Sequence, residues 1–183
     1  GLVANKEYIF GYNNSNGTFG ISGTYDTSNK YFNAPTTASL NGNIVTVSGD
    51  YVSFVLGGSS GAWTLYSTAN NAYLAAPAAG QGKNKVYLVD SESIDDYSKW
   101  TITIAAGTAT IQCNAASSQY PNLQYNTSSP RFSCYANTQK AFGLYSRVSG
   151  SGYITKCDCT PLGTPTGLLA KNASGASVDL FWT

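Results

Sequence analysis

The residue types in this sequence restrict the chemistry that the protein can perform. There is no histidine, so acid–base or nucleophilic catalysis would depend on Asp, Glu, Lys, Tyr or Cys side chains. No serine lies in the G-x-S-x-G turn of a hydrolase, and Gly57–Gly61 lacks the lysine and following helix of a phosphate-binding loop. Cys157 and Cys159 have no second pair to complete a zinc site. We therefore predict no catalytic residues, no metal ion and no cofactor, and we expect the protein not to be an enzyme.

An acidic cluster with the pattern D-x-E-x-x-D-D offers one possible cation site. Its members are Asp90, Glu92, Asp95 and Asp96. A calcium loop needs several oxygen ligands at close spacing, but this segment lacks the glycine and the terminal glutamate of an EF-hand. The pattern favours a solvated acidic loop in which Asp96 caps a turn.

The segment from 112 to 135 is rich in aromatic and amide side chains, which are the groups that bind sugars. Aromatic faces pack on the C–H surfaces of a sugar, and planar polar groups supply hydrogen bonds and orientation. The predicted ligand-binding residues are Gln112, Asn114, Tyr120, Asn122, Tyr125, Asn126, Arg131 and Tyr135. The alternative is that these residues only build hairpins and turns, in which case the domain is a structural spacer or an adhesive, protein-contact domain.

The charge content excludes two other classes of partner. Charged residues make up 10% of the 183 residues, against roughly 25% in an average soluble domain. A net charge of +1 without a basic cluster is insufficient for nucleic-acid binding, which needs a positively charged stripe. No apolar run approaches the roughly 20 residues needed to cross a bilayer. The polar, uncharged composition predicts a secreted or cell-surface protein without membrane insertion.

A repeated aromatic anchor indicates how the chain is organised. The segments Asp50–Leu56 and Asp96–Ile102 share the pattern D-Y-x-x-aromatic-x-aliphatic. Their anchors, Phe54 and Trp100, lie 46 residues apart, and Phe142 follows 42 residues later with Leu144 two positions on. Residues two apart lie on the same face of a strand, so each anchor and its aliphatic partner point together.

Twelve short β-rich segments fall into three groups of four around these anchors. The first group is Tyr8–Tyr12, Thr18–Gly23, Asn43–Val47 and Tyr51–Leu56; the second is Trp63–Ser67, Ala72–Ala76, Lys85–Asp90 and Lys99–Ile104; the third is Thr108–Cys113, Asn122–Asn126, Arg131–Tyr135 and Ala141–Arg147. Such spacing is typical of all-β folds. It predicts a β-trefoil-like barrel, with six barrel strands, three capping hairpins and anchors that converge on a threefold axis. A two-layer sandwich uses a similar number of strands but does not require the threefold anchor.

The end of the chain has a different character. Residues 1–148 are predicted to form the first domain, residues 149–164 a linker and residues 165–183 part of a second domain. Pro165–Ala170 and Ser177–Trp182 resemble the first two strands of a fibronectin type III module, in the pattern P-x-x-L, turn, S-V-x-L-x-W. Two strands alone are marginally stable in water. We therefore expect an incomplete module whose apolar residues pack on the first domain or on another copy of the chain. Packing on another copy would produce tail-mediated self-association.

The third repeat also resembles a known kind of domain. Asn122–Asn126, Ser129–Tyr135 and Ala141–Tyr145 are similar to the last repeat, L-x-Y-N…R-F-x-x-Y…L-Y, of an accessory all-β domain found in secreted modular bacterial proteins. The resemblance implies a non-catalytic accessory module whose partners are glycans or host and cell-surface proteins.

Four cysteines leave the redox state open. The sequence admits a Cys113–Cys134 disulfide, but four cysteines allow three pairings and spacing does not choose among them. Buried free thiols are the alternative.

Overall fold

The structure, a computed structural model, describes residues 1–147 and the backbone of residues 152–155, 169–171 and 179–181. Within these ranges the chain is all-β, as predicted, with eighteen strands and the 3-10 helices Thr68–Asn70 and Ser91–Ser93. The strands are β1 (Glu7–Asn13), β2 (Phe19–Ile21), β3 (Tyr25–Asp26), β4 (Tyr31–Asn33), β5 (Ala38–Asn41), β6 (Ile44–Val47), β7 (Phe54–Ser59), β8 (Ala62–Ser67), β9 (Ala72–Ala75), β10 (Tyr87–Val89), β11 (Trp100–Ala105), β12 (Thr108–Cys113), β13 (Asn122–Asn126), β14 (Arg131–Tyr135), β15 (Gly143–Arg147), β16 (Gly152–Thr155), β17 (Leu169–Lys171) and β18 (Asp179–Phe181).

Six strands pair in a closed circuit. β1 pairs with β7, β7 with β8, β8 with β11, and β11 with β12, all antiparallel. β15 pairs with β1, and a bridge between Ala109 and Phe142 joins β12 to the residue before β15. Each of the six strands therefore has a neighbour on both sides, which protects its backbone polar groups from pairing with another chain.

Short strands extend from this circuit in each repeat. β2 pairs with β1, β9 with β8 and β13 with β12, all antiparallel. The hairpins β9–β10 and β13–β14 follow in the second and third repeats, and β3–β4 follows in the first. β4 also pairs with β14, with Phe32 opposite Phe132, so the first and third repeats are joined outside the circuit.

The third strand of the first repeat differs from the prediction. The predicted segment Asn43–Val47 is a strand, but it forms β6 of a separate hairpin with β5 and pairs with β16. Gly42, at φ +58° with open space around it, permits the two-residue turn of this hairpin. The equivalent of Arg131–Tyr135 in the first repeat is instead β4, whose three residues are too few to produce an alternating pattern.

The segment predicted as a linker and the predicted tail strands also appear in the structure. Gly152–Thr155, inside the predicted linker, is strand β16 and pairs with β15 and β6. β17 and β18 form a separate two-stranded antiparallel sheet. β17 overlaps the first predicted strand at residues 169–170, and β18 lies within the second. The remaining residues of the tail lie outside the described ranges, and the fibronectin-like assignment stays a prediction.

The aromatic anchors lie in one buried cluster. Phe54, Trp100 and Phe142 are almost completely buried and belong to the main core. Phe10 connects two of them, because its ring stacks on Phe54 with centroids 4.1 Å apart and lies 4.9 Å from Phe142. The Trp100 indole donates a hydrogen bond to the carbonyl oxygen of Leu74 at 3.2 Å, so its polar group is satisfied inside the core.

Cys113 and Cys134 are buried free thiols. Burial raises the pKa of both groups, to a greater extent for the fully buried Cys134. Because the thiolate is the nucleophilic form, these two cysteines stay protonated at neutral pH and are chemically inert. Cys157 and Cys159 lie outside the described residues.

Buried tyrosines predict that the fold loses stability in alkali. Burial raises the pKa of four tyrosines above the usual value of about 10: Tyr8, Tyr25, Tyr125 and Tyr145. The unfolded chain therefore releases these protons first as the pH rises, and ionisation favours unfolding. We expect the free energy of unfolding to fall above about pH 10, with an earlier decline from the buried thiols above about pH 8.5.

Urea unfolding followed by circular dichroism at a series of pH values tests this expectation. Between about pH 6 and 8 the urea midpoint should stay nearly constant, because the sequence has no histidine to titrate. A midpoint that is unchanged up to pH 11 would contradict the argument.

Candidate ligand-binding site

The structure places the predicted ligand-binding tyrosines of the third repeat in the core. Tyr125 is 0% exposed and Tyr135 is 2% exposed. The Tyr125 ring stacks on Tyr12 with centroids 4.4 Å apart, and its hydroxyl donates to Asn14 Oδ1 at 3.0 Å. These rings support the fold, and neither ring face is available to a sugar.

The predicted amides are mostly engaged in local structure. Asn126 is buried, and its Oδ1 accepts from the backbone N–H groups of Ser128 and Ser129 at 3.0 and 3.1 Å. This Asx turn shapes the connection between β13 and β14. Asn114 donates to the carbonyl oxygen of Gly61 at 2.7 Å and accepts from Thr101 Oγ1 at 2.9 Å, so it ties β12 to the turn after β7.

The remaining predicted residues are divided among three places. Gln112 and Asn122 face each other across β12 and β13, and Gln112 is exposed. Tyr120 packs against the main core, and its backbone N–H donates to Ser118 Oγ at 3.3 Å. The eight predicted residues therefore do not form one site, although Arg131 lines a described pocket.

That pocket is a cavity of about 300 Å³ with three cationic side chains, two amides and one aromatic ring. We call it the basic pocket, and its lining residues are Asn29, Tyr31, Lys83, Asn84, Lys85 and Arg131. Asn29 and Tyr31 come from the first repeat, Lys83 to Lys85 from the second, and Arg131 from the third. The site is thus assembled only when all three repeats are folded together.

Arg131 is held in place on several sides. Its Cζ atom lies 5.0 Å from the centre of the Tyr31 ring, within cation–π range. Its Nε donates to the Tyr135 hydroxyl at 3.2 Å, and its Nη1 donates to Ser129 Oγ at 3.3 Å. Two of the five guanidinium N–H groups are thereby used. Among the described residues the other three have no partner, so they can hydrogen bond to a ligand.

The wall from the second repeat is joined to the first repeat by two hydrogen bonds. The backbone N–H of Val86 donates to the Lys30 carbonyl oxygen at 2.8 Å, and the Tyr25 hydroxyl donates to the Val86 carbonyl oxygen at 2.8 Å. Gly82 and Asn84 adopt left-handed φ values of +82° and +60°, which these residue types tolerate. The loop that carries the two pocket lysines is therefore tightly turned and anchored.

The basic pocket has an excess of positive charge. The ion pairs of the described residues join Lys99 to Asp96 and Arg147 to Glu7, so none neutralises a pocket cation. Asp26 lies beside the pocket because its carboxylate accepts from Asn29 Nδ2 at 2.9 Å. Hydrogen bonds from Asn29 are the main cause that lowers the Asp26 pKa. The local balance is thus three cations against one carboxylate.

Larger depressions on the surface have a different character. Three of them, of about 400, 480 and 490 Å³, are lined by neutral side chains and backbone, apart from Asp50 in one. They contain no lysine or arginine. The basic pocket is therefore the stronger candidate, since it combines an aromatic ring, amides and charged donors.

The sequence contains a signal for this pocket outside the third repeat. Tyr31, Lys85 and Arg131 each precede a completely buried residue: Phe32, Val86 and Phe132, respectively. Lys85 and Arg131 are 46 residues apart, the same spacing as that between the anchors Phe54 and Trp100. Applying that spacing backwards from Arg131 would have identified Lys85 as a second candidate residue.

The acidic cluster forms the predicted loop, with different capping residues. Asp90 Oδ1 accepts from the backbone N–H of Ser93 at 2.9 Å, and Asp95 Oδ1 accepts from that of Tyr97 at 2.9 Å. Asp96, which was expected to cap a turn, instead pairs with Lys99 at 3.7 Å. Among the described residues, no group of three or more acidic or cysteine side chains is arranged to hold a metal ion.

The comparisons with known proteins bear on the fold. No family model matches the chain, and no curated protein matches it in sequence. Two solved structures are similar to it, the crystal structure of the lysenin pore and the complex of lysenin with phosphocholine, each with 11% identity and a TM-score of 0.52. They cover 81% of this chain, which in turn spans 48% and 46% of the two lysenin chains, about half their length. In the described part of this chain, no helix is both long and apolar enough to span a membrane. At 11% identity, the likeness shows a shared all-β fold.

Proposed function

We propose that this protein is a non-catalytic accessory module of a secreted or cell-surface bacterial protein, and that it binds carbohydrate in the basic pocket. The observation that carries the proposal is the fixed pair of Tyr31 and Arg131, which lines a cavity together with two amides. An aromatic ring and planar hydrogen-bonding groups are what sugar recognition requires. The partners are therefore glycans, free or attached to host and cell-surface proteins.

The finer description of the fold that we propose is a β-trefoil-like barrel. The closed circuit of six strands and the hairpins of the three repeats support it. A sandwich would instead place its strands in two packed layers. In a trefoil, the basic pocket lies where the three repeats meet outside the barrel.

The absence of histidine and the state of the thiols support a binding role without catalysis. The sequence has no histidine, and Cys113 and Cys134 are buried with raised pKa values. The basic pocket itself contains no carboxylate among its lining residues.

A glycan array tests the proposal with the full chain and three variants. Arg131→Ala is expected to weaken binding about 10- to 100-fold, since a hydrogen bond to a charged group contributes roughly 1.5–3 kcal/mol. Tyr31→Ala should also weaken binding, because it removes the aromatic ring that lines the pocket and contacts Arg131. Lys6→Ala is the matched control, because Lys6 is exposed and does not line the pocket. Circular dichroism should show that all variants fold.

The outcome separates two functions. Binding that both pocket variants lose and the control retains would support a carbohydrate-binding module. A lack of binding to every glycan would favour a structural spacer or a protein-contact domain instead. Binding that survives both substitutions would place the ligand elsewhere on the surface.

A further inference from the structure

We infer that the basic pocket selects acidic glycans, those that carry a carboxylate or a sulfate ester. The inference rests on the proposed carbohydrate-binding function and specifies the substrate class of the same site. Its basis is the convergence of Lys83, Lys85 and Arg131 on one small cavity.

The distribution of charge supports this selectivity. The whole chain has ten lysine and arginine residues and a net charge of +1. Three of those ten residues line a cavity of about 300 Å³, whereas the three larger depressions contain none. Like charges that converge without enough counter-charge repel one another, and an anionic ligand relieves that repulsion.

The geometry of Arg131 suits a carboxylate or sulfate group. A guanidinium group presents its donors as a planar fork that matches two oxygen atoms of such an anion. The Tyr31 ring, the Tyr135 hydroxyl and Ser129 Oγ already hold this side chain. Three N–H groups are left over among the described contacts, so Arg131 can bind an anion with little further loss of conformational freedom.

Lys83 and Lys85 add positive charge from the wall of the pocket that the second repeat forms. Lys83 is exposed, Lys85 is half-buried, and neither forms an ion pair with a described residue. The Lys85 Nζ atom lies 3.9 Å from the position that a Cβ atom on Gly82 would occupy, so it folds back over its own loop. The anchored backbone of that loop keeps both residues in the lining of the cavity.

The single carboxylate beside the pocket does not cancel this effect. Asp26 accepts hydrogen bonds from Asn29 and from the backbone N–H of Ser28, so its carboxylate oxygens already have hydrogen-bond donors. A neutral sugar needs no cation for recognition. One acidic group on the ligand, in contrast, would reduce the local excess from two positive charges to one.

Direct binding measurements on the full chain test the inference with matched probes. Titration calorimetry compares oligogalacturonate with its neutral methyl ester, and dextran sulfate with dextran. We expect each acidic probe to bind at least about tenfold more tightly than its neutral partner. The preference should shrink in about 0.5 M salt, where the Debye length falls to a few ångströms.

Pocket variants show whether the selectivity belongs to this site. Arg131→Gln should weaken binding of the acidic probe about tenfold or more, and Lys83→Gln and Lys85→Gln about threefold each. Lys6→Gln removes the same charge outside the pocket and should change nothing. Because both pocket lysines are at the surface of a loop, their variants keep the test valid even if Arg131→Gln fails to fold.

The possible results distinguish this inference from the proposed function. Equal binding of acidic and neutral probes, lost in the pocket variants, would overturn the selectivity and leave carbohydrate binding intact. Failure of every probe to bind would contradict both. A preference for acidic probes that Lys6→Gln reduces as much as the pocket variants would indicate a general charge effect and also overturn the inference.

Discussion

Replacing Phe10 with alanine is expected to lower the free energy of unfolding by about 3–5 kcal/mol, the usual cost of removing a buried phenylalanine. Phe10 is completely buried and stacks on Phe54 at 4.1 Å. It also contacts Phe132 and Phe142, with centroids 5.6 and 4.9 Å apart. The closed circuit of strands limits how far the neighbouring rings can move to fill the space, so most of the cavity should persist.

Urea unfolding of the purified variants measures this loss. Ile44→Ala is the control, since Ile44 is 51% exposed and its truncation should change stability by at most about 0.5 kcal/mol. A loss below about 1.5 kcal/mol for Phe10→Ala would mean that the core collapses around the missing ring, contrary to the expectation that the closed circuit of strands keeps the cavity open.

Gly58→Ala should lower the free energy of unfolding by about 2–4 kcal/mol, through backbone strain and a steric clash. Gly58 has φ +77°, a conformation that costs an L-residue roughly 1–2 kcal/mol. In addition, a Cβ atom at this position would collide with the carbonyl oxygen of Ala62 and lie 3.4 Å from its carbonyl carbon. These atoms belong to the backbone of the paired strand, so the clash can be relieved only by distorting the hairpin.

Gly61→Ala separates the two causes. Gly61 belongs to the same hairpin and has a similar φ of +84°, but nothing lies within 4 Å of its hypothetical Cβ atom. Gly61→Ala should lower the free energy of unfolding by only about 1 kcal/mol, through backbone strain. Thermal and urea unfolding of both variants provide the measurement. Equal losses of unfolding free energy for the two variants would show that the hairpin relieves the clash at Gly58 without losing stability.

The circuit strands and their anchors were predictable because their patterns are local. Each anchor and its aliphatic partner are two residues apart, and the long strands β7, β8, β11 and β12 alternate accordingly. The burial of β8, for example, alternates strictly from Ala62 to Ser67. Strand β4 was missed because it is three residues long and its local partner β3 has only two residues. Its other partner, β14, lies about 100 residues further along the chain. No local window contains that pairing.

The candidate site was harder to predict for a related reason. In β13 and β14 four consecutive residues are buried instead of every second one, because both faces of this hairpin are covered. Aromatic content alone therefore did not reveal that Tyr125 and Tyr135 are inaccessible. Arg131, one of the predicted residues, lines the basic pocket. Its companions Tyr31 and Lys85 come from other repeats, and only the three-dimensional arrangement brings them together.

The origin of the basic pocket in all three repeats makes ligand binding and folding thermodynamically linked. A ligand that requires walls from every repeat has no affinity for a partly folded chain. At a concentration 100 times its dissociation constant, such a ligand adds about 2.7 kcal/mol to the stability of the folded state. That amount offsets more than half of the expected cost of Phe10→Ala. A ligand of the basic pocket should therefore rescue a destabilised variant, and thermal unfolding becomes a screen for the proposed glycan ligand.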